Sequence, residues 1–188
     1  VALVGSQTVS TKPITPAPTI SKVYDGSVAI AAFSLAPGGL VSGDAVLLSG
    51  SGTFANKNAG TNKTYTLGSL ALSGTDAANY SLTSGSTLTA ANGTVTQRAL
   101  SVSGIAANDK VYDGTTAATL NYAGAAYSSL VSGDAFSVAA TGTFSSANAG
   151  ARTVALSNPI YSGADVGNYA ITAQTSTSAT IAAKSLTL

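Results

Sequence analysis

The sequence predicts an all-β protein built as two tandem small β-sandwich modules, Ig-like in plan, with a β-grasp-like sheet as the alternative. Three observations lead there. One ordered set of motifs occurs twice, apolar and polar residues alternate at period two, and the acidic residues are all Asp with no Glu.

The repeat comes first because it sets the unit. Lys22-Val23-Tyr24-Asp25-Gly26-Ser27 returns as Lys110-Val111-Tyr112-Asp113-Gly114-Thr115, 88 positions on. Leu40-Val41-Ser42-Gly43-Asp44-Ala45 returns unchanged at Leu130 to Ala135, after 90. Gly52-Thr53-Phe54 recurs as Gly142-Thr143-Phe144, and Asn58-Ala59-Gly60 as Asn148-Ala149-Gly150. A stretch from Ser73 that includes Asp76, Asn79 and Tyr80 matches one from Ser162 that includes Asp165, Asn168 and Tyr169. Lys12-Pro13-Ile14-Thr15, Arg98-Ala99-Leu100-Ser101 and Lys184-Ser185-Leu186-Thr187 mark joints 86 positions apart. The expected organisation is a tail of a preceding module at 1–11, modules at 12–97 and 98–183, and the start of a following module at 184–188. The N-terminus shows no signal-peptide pattern, which reads as a segment beginning inside a mature chain.

The strands follow from alternation. Phe136, Val138, Ala140, Gly142 and Phe144 share one face, with Ser137, Thr141 and Thr143 on the other. Val46, Leu48, Gly50, Gly52 and Phe54 keep the same phase, as a half-buried strand does. Tyr65 with Leu67 and Tyr80 with Leu82 continue the pattern, matched by Val154 with Leu156 and Tyr169 with Ile171. Gly, Asn and Asp cluster between these runs, where turns need them. The Ala-rich stretches at 29–32 and 117–119 are too short for long helices, and one helical turn is expected near Leu40 to Gly43. All seven acidic residues are Asp, the turn former, and none is Glu, the helix former.

Composition excludes several functions. Charged residues make up 8 % of the chain and the net charge is +1. The eight basic residues are scattered, so nucleic-acid and membrane-surface binding lack the clustered charge they require. No apolar run is long enough to span a bilayer as a helix, so no membrane insertion is expected. With no Cys and no His, thiol chemistry and the commonest metal ligand and general base are gone. Without Glu as well, and without a Ser-x-x-Lys pattern, an enzyme is not expected.

The Lys-Val-Tyr-Asp-Gly-(Ser/Thr) motif, followed by Ser-Gly-Asp, Asn-Ala-Gly and Asp-x-x-Asn-Tyr, resembles the YDG-type repeats of large bacterial surface proteins. The resemblance covers nearly the whole chain. It implies a filamentous-haemagglutinin-like adhesin, secreted by the two-partner route to the extracellular side or outer surface of the bacterium. It also implies a spacer or stalk role supporting cell adhesion. The alternative is a module that binds a host or surface glycan or protein. The partners expected are neighbouring repeat modules, and the chain is expected to be monomeric.

The candidate residues are read as structural motifs: Lys22, Tyr24, Asp25, Gly26, Asp44, Asp76, Asn79 and Tyr80, and Lys110, Tyr112, Asp113, Gly114, Asp134, Asp165, Asn168 and Tyr169. In Tyr-Asp-Gly, Asp bonds nearby backbone, Gly takes positive φ, and Tyr anchors the turn to a core. No cofactor and no metal are expected. Calcium needs six to eight oxygens, whereas the repeated Asp residues lie far apart in sequence and only Asp109 neighbours Asp113. A Lys–Asn isopeptide bond joining Lys22 to Asn79 or Lys110 to Asn168 would need a buried carboxylic acid beside it. Asn62, Asn79 and Asn92 begin N-glycosylation patterns that the second copy lacks, and chance explains them in a Ser/Thr-rich chain. Glycan binding would fall to Tyr122, Tyr127 or Tyr161, which have no Tyr counterpart in the first copy.

Overall fold

A computed structural model describes residues 8–187, and the chain divides into two compact units. The first comprises the described residues up to Val23 together with Ser27–Thr96. The second comprises Gln97 onward together with Tyr24–Gly26. The expected preceding tail at 1–11 falls largely outside the described residues, as does Leu188. Residues 184–187 form no strand.

In the first unit β1 (Lys12–Ile14), β2 (Ser21–Val23), β3 (Ala29–Leu35), β4 (Leu47–Phe54), β5 (Gly60–Ser73), β6 (Tyr80–Leu82) and β7 (Leu88–Thr96) follow in order. A five-stranded sheet runs β2-β7-β5-β4-β3, and β1 pairs with β6. Both short edge pairs, β1 with β6 and β2 with β7, are parallel, while the long strands are antiparallel. Alternation decides which residues turn inward. Val46, Leu48 and Phe54 are buried while Leu47 and Thr53 are exposed. Opposite them Tyr65 and Leu67 are buried, and the Tyr65 ring meets Phe54 edge-on at 6.1 Å. The Tyr65 hydroxyl finds an acceptor inside, donating to the Pro18 carbonyl at 2.6 Å, as a buried phenol must. Ile14 and Tyr80 pack with Val46, Leu40, Leu72 and Ala77, laying the small sheet over one end of the large one.

The second unit repeats this plan with β8 (Arg98–Ser103), β9 (Ala106–Ala107), β10 (Lys110–Val111), β11 (Ala117–Ala118), β12 (Leu120–Asn121), β13 (Ala126–Ser128), β14 (Ser137–Phe144), β15 (Gly150–Ser162), β16 (Tyr169–Thr172) and β17 (Ser176–Ala182). Its five-stranded sheet runs β10-β17-β15-β14-β11, accompanied by β13-β8-β16 and β12-β9. Ala107 and Leu120, from the two-stranded sheet, pack onto Phe144, Val154, Ala179 and Ile181. Two layers around one core make each unit a small β-sandwich, and the fold is all-β as expected. A β-grasp would need a helix across the sheet. Among the described residues the helical elements are two 3₁₀ turns, Ala77–Asn79 and Val166–Asn168.

Both units bend their longest strands at the same place. The β4–β5 register slips between Ser49 and Ser51, and the β14–β15 register slips between Ala139 and Thr141. Ser69 on β5 and Asn158 on β15 take φ of 52° and 49° there. An extra residue on one strand bends it and raises its twist, so strands of 14 and 13 residues curl instead of lying flat.

One expectation needs correction. Leu40 to Gly43 is a turn and not a helical one: the Asp44 amide donates to the Val41 carbonyl at 3.1 Å, and Gly43 sits at φ 97°. A left-handed residue ends any helix at once. The helical turns lie instead at Asp-x-x-Asn-Tyr, where the Asn79 and Asn168 amides donate to the Asp76 and Asp165 carbonyls. The Ala-rich stretches lie in strands, β3 and β11.

Candidate functional site

The repeated residues form two kinds of cluster, one a loop staple and the other an aspartate–tyrosine clasp. The staple is built by the lysine. Lys110 Nζ donates to Asp113 Oδ1 at 2.8 Å, to the Thr115 carbonyl at 2.9 Å and Oγ1 at 3.0 Å, and to the Ala117 carbonyl at 3.1 Å. It also stands 5.4 Å from the centre of the Phe144 ring. Asp113 Oδ1 accepts the Thr115 amide two residues on, the turn that Asp was expected to make. The Lys110 ammonium, and then Thr115, hold the Asp113 carboxyl down at about 2. Lys22 does the same work in the first unit, reaching Ser27 Oγ at 3.1 Å and the Ser27 and Ala29 carbonyls. Gly26 and Gly114 supply the positive φ of the turn, at 81° and 79°. The set that holds the Lys110 ammonium contains no asparagine side chain. Asn79 is exposed on its 3₁₀ turn and Asn168 is buried.

The clasp joins residues far apart in sequence. Tyr80 Oη donates to Asp44 Oδ2 at 2.6 Å and accepts the Val41 amide at 2.8 Å. Tyr169 Oη donates to Asp134 Oδ2 at 2.6 Å and accepts the Val131 amide at 2.9 Å. Asp76 and Asp165 close the far side, each taking the amide that follows the first aspartate: Ala45 to Asp76 at 2.9 Å and Ala135 to Asp165 at 3.1 Å. These carboxylates were expected to bond nearby backbone, but they bridge loops about 30 residues apart. The low charge of the chain explains the choice, because few cations compete and hydroxyls and amides are the donors on offer. Gly74 and Gly163, at φ 115° and 128°, let the strand pass close: a Cβ would stand 2.3 Å from the Ala45 carbonyl oxygen and 2.1 Å from that of Ala135.

The second clasp holds one residue more. Tyr24 is 0 % exposed, donates to Asp134 Oδ2 at 2.7 Å, and meets the Tyr169 ring edge-on at 5.6 Å. Phe136 meets the Tyr169 ring edge-on at 6.3 Å and also carries the Tyr127 and Tyr161 rings, at 4.8 and 5.8 Å. Tyr127 and Tyr161 thus pack on a neighbouring ring. The Tyr122 hydroxyl accepts the Ala140 amide at 2.8 Å, so all three Tyr residues named for glycan binding have intramolecular partners. Asp25 is exposed, as are Tyr112 and Gly114.

Burial first, and then the bond to Asp134, push the Tyr169 phenol up to about 12; the bond to Asp44 leads in raising Tyr80. The folded state therefore favours the neutral phenol. Its stabilisation is complete below the ordinary tyrosine value near pH 10 and is lost as pH climbs toward 12. We expect the β circular-dichroism signal to hold to about pH 10 and fall between there and about 12, in step with the last phenols to ionise. Ionisation of every tyrosine with the β signal intact would contradict the buried clasp.

Among the described residues no group of three or more carboxylates lies close enough to hold a metal ion. Asp109, the nearest neighbour of Asp113, instead accepts the Thr180 amide of β17 at 2.6 Å. Sequence reasoning missed this tie, and also Gln174, whose side-chain amide exchanges two hydrogen bonds with the Ile105 backbone at 2.9 and 2.8 Å. Neither residue has a counterpart in the first copy, so the repeat gave no signal. Among the described residues no helix is long and apolar enough to cross a membrane.

Comparison with known proteins finds one family. The model of the YDG domain matches residues 10–90 and again residues 96–178. No curated protein and no solved structure matches the chain.

Proposed function

The chain belongs to the YDG domain family in both of its halves, and from that membership we propose that it is a pair of spacer repeats in the stalk of a large bacterial adhesin. The adhesin is of the filamentous-haemagglutinin-like type, secreted by the two-partner route and displayed on the outer surface. The observation that carries this reading is the recurrence of the clasp. Tyr80 with Asp44 and Tyr169 with Asp134 keep the same 2.6 Å bond in sequences that differ between those points. What recurs is the means of holding loops on a sheet, which is what a spacer needs in every copy.

The reading is tested by stretching the chain from its ends in a force spectrometer. Two separate unfolding steps are expected. Each should lengthen the chain by about 25 nm, since roughly 86 residues extend by at most about 3.5 Å each and the folded module already spans a few nanometres. One step releasing the whole length would overturn independent spacer modules. The alternative, a glycan- or protein-binding module, predicts retention on a glycan array or on host cells that Tyr127→Ala abolishes, and that result would also displace the spacer reading.

A further inference from the structure

The same pentapeptide, Lys-Val-Tyr-Asp-Gly, sits in two different surroundings. The strands that lead into it are alike: β2 runs parallel to β7, and β10 runs parallel to β17. Beyond them the two tyrosines part. Tyr24 and Gly26 belong to the second unit, where Tyr24 is fully buried against Tyr169 and Asp134. Gly26 lies so close to Val131 that a Cβ would stand 2.7 Å from Val131 Cγ1. Tyr112 is 41 % exposed, and a Cβ on Gly114 would meet nothing within 4 Å. Tyr112 lines an open groove with Asn148, Ala149, Ala183, Lys184 and Leu186. A large aromatic beside exposed apolar groups, ahead of a loop already stapled by Lys110, is a preformed arm.

The receiving side shows the complementary difference. Val131, Asp134 and Tyr169 accept Tyr24 and Gly26 in the second unit. Their counterparts Val41, Asp44 and Tyr80 are arranged alike, with matching bonds from the valine amide and to the aspartate. Yet Val41 is 52 % exposed, and among the described residues Asp44 accepts one tyrosine hydroxyl where Asp134 accepts two.

We propose that the tyrosine of each Lys-Val-Tyr-Asp-Gly motif is a plug for the Ser-Gly-Asp clasp of the next YDG repeat. Tyr112 is the plug for a repeat joined after residue 183. Val41, Asp44 and Tyr80 are the seat for the tyrosine of a repeat joined before the first. The occupant is a further repeat of this family because the one filled seat already holds this pentapeptide and the residues forming it recur. A buried aromatic with its hydroxyl bonded supplies both apolar contact and a directional tie, as interface anchors do. The inference needs only repeats in tandem. It does not rest on the adhesin role, and the stretching experiment can fail without it.

Tyrosine nitration by tetranitromethane, read by peptide mass spectrometry, tests it. In the 188-residue chain Tyr112 should be modified at least about tenfold faster than Tyr24, as expected for an exposed against a buried ring. A second chain carries an extra copy of residues 98–183 joined after residue 183, its folding read from protection of the tyrosine copied from Tyr169. There Tyr112 should become as slow as Tyr24, and the tyrosine copied from Tyr112 should take over the fast reaction. Equal Tyr112 rates in the two chains, with Tyr24 protected in both, would overturn the proposal. So would fast modification of Tyr24 in the 188-residue chain.

Discussion

Tyr24→Ala is expected to lower the stability of the second unit by about 3–5 kcal/mol, the cost of emptying a buried aromatic site. Tyr112→Ala, at the matching position of the same pentapeptide, should change it by no more than about 0.5 kcal/mol. The difference rests on surroundings alone. Tyr24 has no exposed surface, an edge-on contact with Tyr169 and a bonded hydroxyl. Tyr112 has solvent on one side. Tyr24→Phe separates the parts of the effect, because it keeps the ring and removes only the donor to Asp134, for a loss of about 1 kcal/mol. Hydrogen exchange followed in β14, β15 and β17 reads the second unit without interference from the first. Equal losses for the two alanine variants would show that Tyr24 contributes no more than an exposed tyrosine.

That contrast marks the limit of what the sequence could tell. Period-two alternation placed Phe136, Val138, Ala140, Gly142 and Phe144 on the inward side, and each is less exposed than its neighbours on β14. Alternation is a local property of one strand, so it survives without knowledge of the partner. The parallel pairing of β1 with β6 and of β8 with β16 is not local. These strands run three to six residues, and nothing in so short a run states which neighbour it takes. The motif aspartates were legible as fixed points and illegible in role. Asp113 makes the expected turn, while Asp44, Asp76, Asp134 and Asp165 reach across loops to partners 30 or more residues away. The anchoring of Tyr24 was foreseeable from the motif, but its seat was not. Tyr24 and Tyr112 stand in identical pentapeptides, so only what is packed against each can separate them.

The two aspartates that accept tyrosine hydroxyls should separate in the same way when removed. Asp134 Oδ2 receives two phenols, Tyr169 at 2.6 Å and Tyr24 at 2.7 Å, and both rings are buried. Asp134→Ala removes the acceptor that both phenols share in a part-buried site. At about 1–3 kcal/mol for each phenol that loses its acceptor, the second unit should lose roughly 2–6 kcal/mol. Asp44→Ala strands the Tyr80 hydroxyl alone, so the first unit should lose about half as much. Asp134→Asn keeps an acceptor oxygen within reach and should fall between wild type and alanine. The phenols report the same event by a second route. Without the carboxylate, one of the causes that hold the Tyr169 value high is gone, and burial is left as the leading one. Tyr169 should then ionise at lower pH in Asp134→Ala than in the unaltered chain, and the second unit should lose less further stability between about pH 10 and 12. An Asp134→Ala chain whose second unit unfolds at the same denaturant concentration and the same pH as wild type would mean that the clasp is geometry without energy.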